Sequence, residues 1–258
     1  MRPILFQIGP FPISSFGLFL LLAFVVSIAL ARRRAAPLGI DPSQMLDIAL
    51  YMIIGGIVVG RLGYVVANLP TFVQEPVRIV TIWQDSGLAF YGALLGGGAV
   101  AALYARSRQI LLRRFLDVFA PPLAAGYAVA MIGALLHGLY LGRPTTVPWA
   151  VQMVFEQRHP APMYLLIASV GTYIVLRFQE HRTTGAGTLF FLWLTLHALT
   201  RVAVEFFVES PAVVGPLTLA QAANVLAAAA GIVGLVVVTR PQPEPAPSET
   251  PAMQQDAH

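Results

Sequence analysis

The sequence predicts an all-α integral membrane protein of about seven transmembrane helices. Three observations carry that reading. Apolar residues make up 57% of the chain and charged residues 11%, against about 25% charged in soluble domains; the mean hydropathy is +0.73. The apolar residues gather into seven runs, each close to the roughly 20 residues a bilayer span needs. Arginines crowd alternate ends of those runs, the asymmetry expected of cytoplasmic loops. The 258 residues suit one bundle over 1–240, followed by a Pro- and Glu-rich cytoplasmic tail over 241–258 that reads as disordered.

Met1 to Ile13 carries three prolines and reads as a lead-in segment at the interface. No cleavable signal peptide is evident in it. Ser14 to Ala31 is the first span, stopped by Arg32, Arg33 and Arg34, which places the N-terminus outside. Asp41-Pro42-Ser43 is a helix-start signal before the second span, Ile48 to Asn68. Gly56 and Gly60 there are spaced for close helix approach, as are Gly92, Gly96, Gly97 and Gly98 in the third span, Leu88 to Ala105. Leu69 to Gly87 between them is too polar to span and reads as an external arm, with Trp83 at headgroup level. Phe115 to His137 is the fourth span, softened by Pro121 and Pro122, and Gly138 to Pro162 is a second long external segment. Met163 to Phe178 is the fifth, Thr188 to Glu209 the sixth and Leu217 to Val238 the seventh, so the C-terminus lies in the cytoplasm. With this orientation ten of the sixteen arginines (32, 33, 34, 106, 108, 113, 114, 177, 182 and 240) fall at cytoplasmic ends.

The sixth span carries the chemistry. His197, Arg201 and Glu205 stand at i, i+4 and i+8, one stripe on one helix face. A charge at bilayer depth costs about 3 kcal/mol by insertion scales, so the stripe must face protein or water. Arginine binds phosphate bidentately and keeps its charge. An outward-opening cavity lined by Arg61, Arg143 and Arg201 would therefore suit a phospholipid headgroup, with Glu205 holding Arg201 and His197 as the base. The bland alternative is that Arg201 and Glu205 pair as buried glue, Arg61 snorkels and His197 is a packed core residue.

Other classes are disfavoured. The chain has no cysteine, hence no disulfide and no thiol nucleophile. The scattered arginines fit membrane anchoring and not nucleic acid. No histidine pair has metal-ligand spacing, so no metal is expected. Ser169 lacks a glycine-flanked elbow, and Asp47 and Asp117 lie at cytoplasmic ends, not as a paired intramembrane dyad. No internal repeat supports a transporter.

Several stretches together resemble one family, the bacterial prolipoprotein diacylglyceryl transferases. They are Ile8-Gly-Pro-Phe-Pro-Ile13 with Phe16-Gly-Leu18, Gly60-Arg-Leu-Gly-Tyr64, Gly87-Leu-Ala-Phe-Tyr-Gly92, Asp117 with Ala120-Pro121, Gly142-Arg-Pro-Thr-Thr-Val-Pro-Trp-Ala150, His159-Pro160 with Tyr164, Arg201-Val-Ala-Val-Glu-Phe206 and Leu217-Thr-Leu-Ala-Gln221. The pieces run in family order from about Pro3 to Val238. The resemblance implies a membrane enzyme that needs no cofactor. Its partners would be phosphatidylglycerol, membrane lipids and the lipobox cysteine of a prolipoprotein signal peptide. A thioether would form and glycerol 1-phosphate would leave. This chain departs from the family pattern at several functional positions: Met131 for Arg, Ala134 and His137 for Asn, Leu139 for Glu, Tyr91 for His, His197 for Tyr and Leu165 for an acid. Two functions follow: the transferase, or a relative that binds phospholipid or signal peptide without turnover.

Overall fold

The structure, a computed structural model, describes residues 2–9, 11–81, 87, 89–153, 155–182 and 185–240. The expected tail and Trp83 lie outside the described residues. Strands β1 (Ile4–Ile8) and β2 (Phe11–Ser14) pair as an antiparallel hairpin before α1 (Ser15–Ala35). Then come α2 (Met45–Ala67), the short α3 (Leu69–Gln74), α4 (Phe90–Ser107) and α5 (Leu112–His137). A two-residue ladder of β3 (Val151–Gln152) and β4 (Gln157–Arg158) leads to α6 (Ala161–Glu180) and α7 (Thr188–Glu205). Strands β5 (Ala212–Val214) and β6 (Leu217–Thr218) precede α8 (Leu219–Thr239).

The chain is a mostly helical, multi-pass membrane protein of the all-α class. The long helices stand where the spans were expected. Among the described residues, α1, α2 with the turn before it, α5, α6, α7 and α8 are each long and apolar enough to cross a membrane. Helix α4, interrupted by four glycines, reaches the length and packs along α2. Lipid-facing residues stay open, as on α8 at Leu226, 71% exposed; lipid tails replace water there at little cost.

Small residues set the packing. A Cβ on Gly92 would meet the Val59 carbonyl oxygen at 2.8 Å, and one on Gly56 the Ala93 carbonyl oxygen at 3.1 Å, so α2 and α4 touch backbone to backbone. Helix α5 is the hub, lying against α1, α6 and α7. Its face toward α1 includes Gly133, where a Cβ would sit 2.5 Å from Phe19 Cβ. Pro121 and Pro122 do not end it, and the Pro122 carbonyl accepts from Ser27 Oγ at 3.0 Å.

The two ends of the bundle are built differently. At the arginine-rich end the buried Arg34 donates to the carbonyls of Asp117 and Val118, each at 3.1 Å, and pairs with Glu180. The Asp117 carboxylate accepts from the backbone N–H groups of Gly187 at 2.5 Å and Phe190 at 2.9 Å, capping α7 from another helix. Asp41 accepts from Ser43 N–H and from Ser43 Oγ, capping the turn before α2, and these bonds hold its carboxyl below the usual range. At the other end all three hairpins gather. Arg2 N–H donates to Leu136 O and Ser15 Oγ to Pro3 O, which folds the first hairpin against the end of α5.

Candidate functional site

Helix α7 presents Trp193, His197, Arg201 and Glu205 one turn apart. The His197 ring stacks on Trp193 with centroids 5.3 Å apart and meets Tyr127 of α5 edge-on at 4.8 Å. Trp193 Nε1 is buried and makes no hydrogen bond among the described residues. Thus the histidine is fixed by ring contacts, while the polar half of the stripe lies one and two turns further on.

Glu205 is 3% exposed. Its Oε1 accepts from Ser210 Oγ at 2.9 Å and Thr218 Oγ1 at 3.3 Å, and its Oε2 accepts from the Tyr140 hydroxyl. Thr218 also caps α8 in a capping box with Gln221. The carboxylate therefore ties together the end of α7, the start of α8 and the segment after α5. Arg201 Nη2 stands 3.7 Å from Glu205, close enough for an ion pair and beyond a hydrogen bond. Its guanidinium lies over the Tyr140 ring, 4.7 Å from the centroid, and interacts with the Tyr127 hydroxyl. Burial raises the Tyr140 hydroxyl above its ordinary range, against the Arg201 charge and with the help of Glu205, so it remains a donor. Tyr140 is held at φ 57°, a conformation that costs an ordinary residue roughly 1–2 kcal/mol.

Arg143 joins this group. Its N–H donates to Phe207 O at 2.7 Å and its Nε to Val208 O at 3.2 Å. The helix stops at Glu205 and not at the expected Glu209; Pro211 has no N–H to donate to Phe207 O, and Arg143 satisfies that carbonyl instead. The Arg143 side chain is exposed, and only its Nε is bonded among the described residues. Gly142 N–H donates to His159 O at 2.8 Å and His159 N–H to Arg143 O at 3.0 Å. No side chain fits at Gly142, where a Cβ would lie 2.7 Å from His159 Cβ. The Tyr164 hydroxyl accepts from Trp149 Nε1 at 2.8 Å and bonds His159 Nδ1 at 2.9 Å.

Arg61 sits elsewhere. It is 4% exposed and donates to the carbonyls of Ile79 at 3.1 Å, Gly87 at 2.9 Å and Arg78. Its guanidinium also lies over Phe72, 5.1 Å from the centroid. The structure thus places Arg201 beside Glu205, one turn beyond His197, holds Arg143 on the loop bonded just past the end of the same helix, and puts Arg61 to work holding the arm after α2. Met131 packs in the apolar cluster of Ala161, Leu165, Val204 and Val208, beside Tyr127, Tyr140 and Tyr164. His137 places Nδ1 3.5 Å from Ser15 Oγ. Among the described residues no three acidic or histidine groups could hold a metal.

Nothing in the sequence alone assigns a role to Tyr140. For Tyr127 one signal existed, since it lies one helical turn before Met131, at which the family pattern calls for a charged residue.

Comparison with known proteins bears on the whole chain. The sequence model described as prolipoprotein diacylglyceryl transferase matches residues 3–237. A phosphatidylglycerol–prolipoprotein diacylglyceryl transferase of Chromohalobacter salexigens is 33% identical, covering 93% of this chain and 93% of its own length. The protein of that name from Synechococcus elongatus is 31% identical over 91% of this chain and 86% of its own. That from Nostoc sp. is 29% identical over 95% and 93%.

Proposed function

The chain belongs to the prolipoprotein diacylglyceryl transferase family, and from that premise we propose that it moves the diacylglyceryl group of phosphatidylglycerol to the lipobox cysteine of a prolipoprotein at the outer face of the bacterial plasma membrane. The thiol sulfur attacks the glyceryl carbon that carries the phosphate ester. The carbon–sulfur bond forms, the carbon–oxygen bond breaks, and glycerol 1-phosphate leaves. The demand on the protein is a cation at the departing phosphate and an acceptor for the thiol proton.

One observation supports this reading above the others. Arg201 is partly buried on a spanning helix beside Glu205, yet no hydrogen bond ties it to that carboxylate. Arg143 stands on the loop pinned to the end of the same helix. Arg201 and Arg143 take the phosphate, Glu205 screens the charge of Arg201 through space while the site is empty, and His197 accepts the proton. Arg61 contributes by holding the arm after α2 through its carbonyls.

A second reading is favoured by Met131. An apolar side chain packs where the family pattern calls for a cation, which suits a member that binds the lipid without turnover. Purified protein given labelled phosphatidylglycerol and a lipobox peptide separates the two. Release of glycerol 1-phosphate with a lipid-modified peptide supports the transferase. Saturable lipid binding with no release over many hours replaces it with the binder.

A further inference from the structure

We propose that Tyr140 is a positioning residue that keeps Arg201 available to the lipid phosphate by occupying the carboxylate of Glu205. The inference rests on the phosphate-binding role given to Arg201 above.

A carboxylate offers about four acceptor sites. At Glu205 three are taken by hydroxyls, those of Ser210, Thr218 and Tyr140. An Arg and a Glu one turn apart on a helix can close into a charge-assisted pair with two parallel hydrogen bonds. Here Nη2 stops at 3.7 Å, on the oxygen that Tyr140 already holds. The guanidinium rests on the Tyr140 ring instead. Glu205 still screens the charge of Arg201 through space, but an arriving phosphate has no charge-assisted carboxylate bond to break. A ring stacked on a guanidinium leaves the edge donors in the plane of the group, which is where a phosphate binds.

The chain places Tyr140 deliberately. It adopts a left-handed backbone two residues after Gly138, the left-handed cap of α5. Two residues later Gly142 begins the pairing with His159 that presents Arg143. One short segment thus delivers the residue that frees one arginine and the second arginine itself.

The test is phosphatidylglycerol binding by the full chain in detergent, with phosphatidylcholine as the headgroup control and free glycerol 1-phosphate as competitor. Tyr140→Phe keeps the ring and removes the hydroxyl. Arg201 should then close on Glu205, and affinity for phosphatidylglycerol should fall about tenfold, the weight of one charge-assisted hydrogen bond. The thermal midpoint should hold or rise. Adding Glu205→Gln to Tyr140→Phe removes the competing charge, and affinity should return to within about twofold of the parent. A tyrosine that merely fills space predicts no recovery in the double variant, and that result, or a Tyr140→Phe protein that binds like the parent, overturns the inference. Should Tyr140→Phe fold poorly, Tyr140→Trp also removes the hydroxyl contact and must show the same loss and the same rescue. The underlying reading fails separately, and takes this inference with it, if the parent does not prefer phosphatidylglycerol over phosphatidylcholine or if Arg201→Met binds as well as the parent.

Discussion

Glu205 accepts hydrogen bonds from three hydroxyls besides facing Arg201, and this decides what a change at Arg201 does. Removing one partner of a buried ion pair costs roughly 3–5 kcal/mol when the other is left stranded. Glu205 is not stranded, so we expect Arg201→Met to cost only about 1–2 kcal/mol, read as a small drop in thermal midpoint in detergent. Phosphatidylglycerol binding should be lost. The double variant Arg201→Met with Glu205→Gln should regain stability and not binding; a double variant that binds the lipid normally removes Arg201 from the site. Glu205→Ala should be the worse lesion, since Tyr140, Ser210 and Thr218 all lose their acceptor. At about 1 kcal/mol for each bond the loss is near 3 kcal/mol, and thermal melts of the two single variants give the order directly.

The α2–α4 pair carries a sharp contrast between two glycines on one helix. A Cβ on Gly92 meets backbone, the Val59 oxygen at 2.8 Å and Gly60 Cα at 3.1 Å, whereas one on Gly98 meets nothing within 4 Å. Gly92→Ala must push two backbones apart and should cost about 1–3 kcal/mol. Gly98→Ala should gain roughly 0.5–1 kcal/mol through helix propensity. Equal melting behaviour of the two would refute backbone contact at this interface. Helix α7 has a different dependency. Its left-handed Gly187 cap offers no side chain, and Asp117 of α5 supplies the acceptor for the N–H groups of Gly187 and Phe190. Asp117→Ala should therefore lower stability by about 1–2 kcal/mol, with Asp117→Asn losing less because it retains one acceptor oxygen. The sequence placed Asp117 at a cytoplasmic end and among the family matches, but its partner lies 70 residues away.

For the whole molecule the orientation is the open quantity, and it is a proposal from arginine asymmetry. The bundle separates an end rich in arginine from an end with three hairpins, and the proposed lipid site lies at the hairpin end. A membrane-impermeant maleimide should label a cysteine placed at Phe155, which is 96% exposed on the segment between β3 and β4, in intact cells. A cysteine at Ser107, beyond α4, should label only after permeabilisation. The chain has no cysteine of its own, so each probe reports one site. The reverse pattern would place the arginine-rich end outside and the proposed lipid site in the cytoplasm.

Helix positions were legible in the sequence because the bilayer imposes one local rule, a long apolar run closed by polar or basic residues. The α7 stripe was legible for the same kind of reason, since spacing of four on a helix is a local fact and an intramembrane charge needs a protein partner. The glycine spacing likewise marked α2 and α4 as helices that a neighbour approaches closely, though not which neighbour. The fate of each charge was not legible. Arg61 goes to the carbonyls of a neighbouring arm, Arg143 to the carbonyls past α7, and Arg201 stops short of Glu205 because Tyr140, 65 residues earlier, has taken the oxygen. Which donors meet which acceptors depends on how separate helices are brought together. No spacing along the chain encodes that, and only the packed bundle decides it.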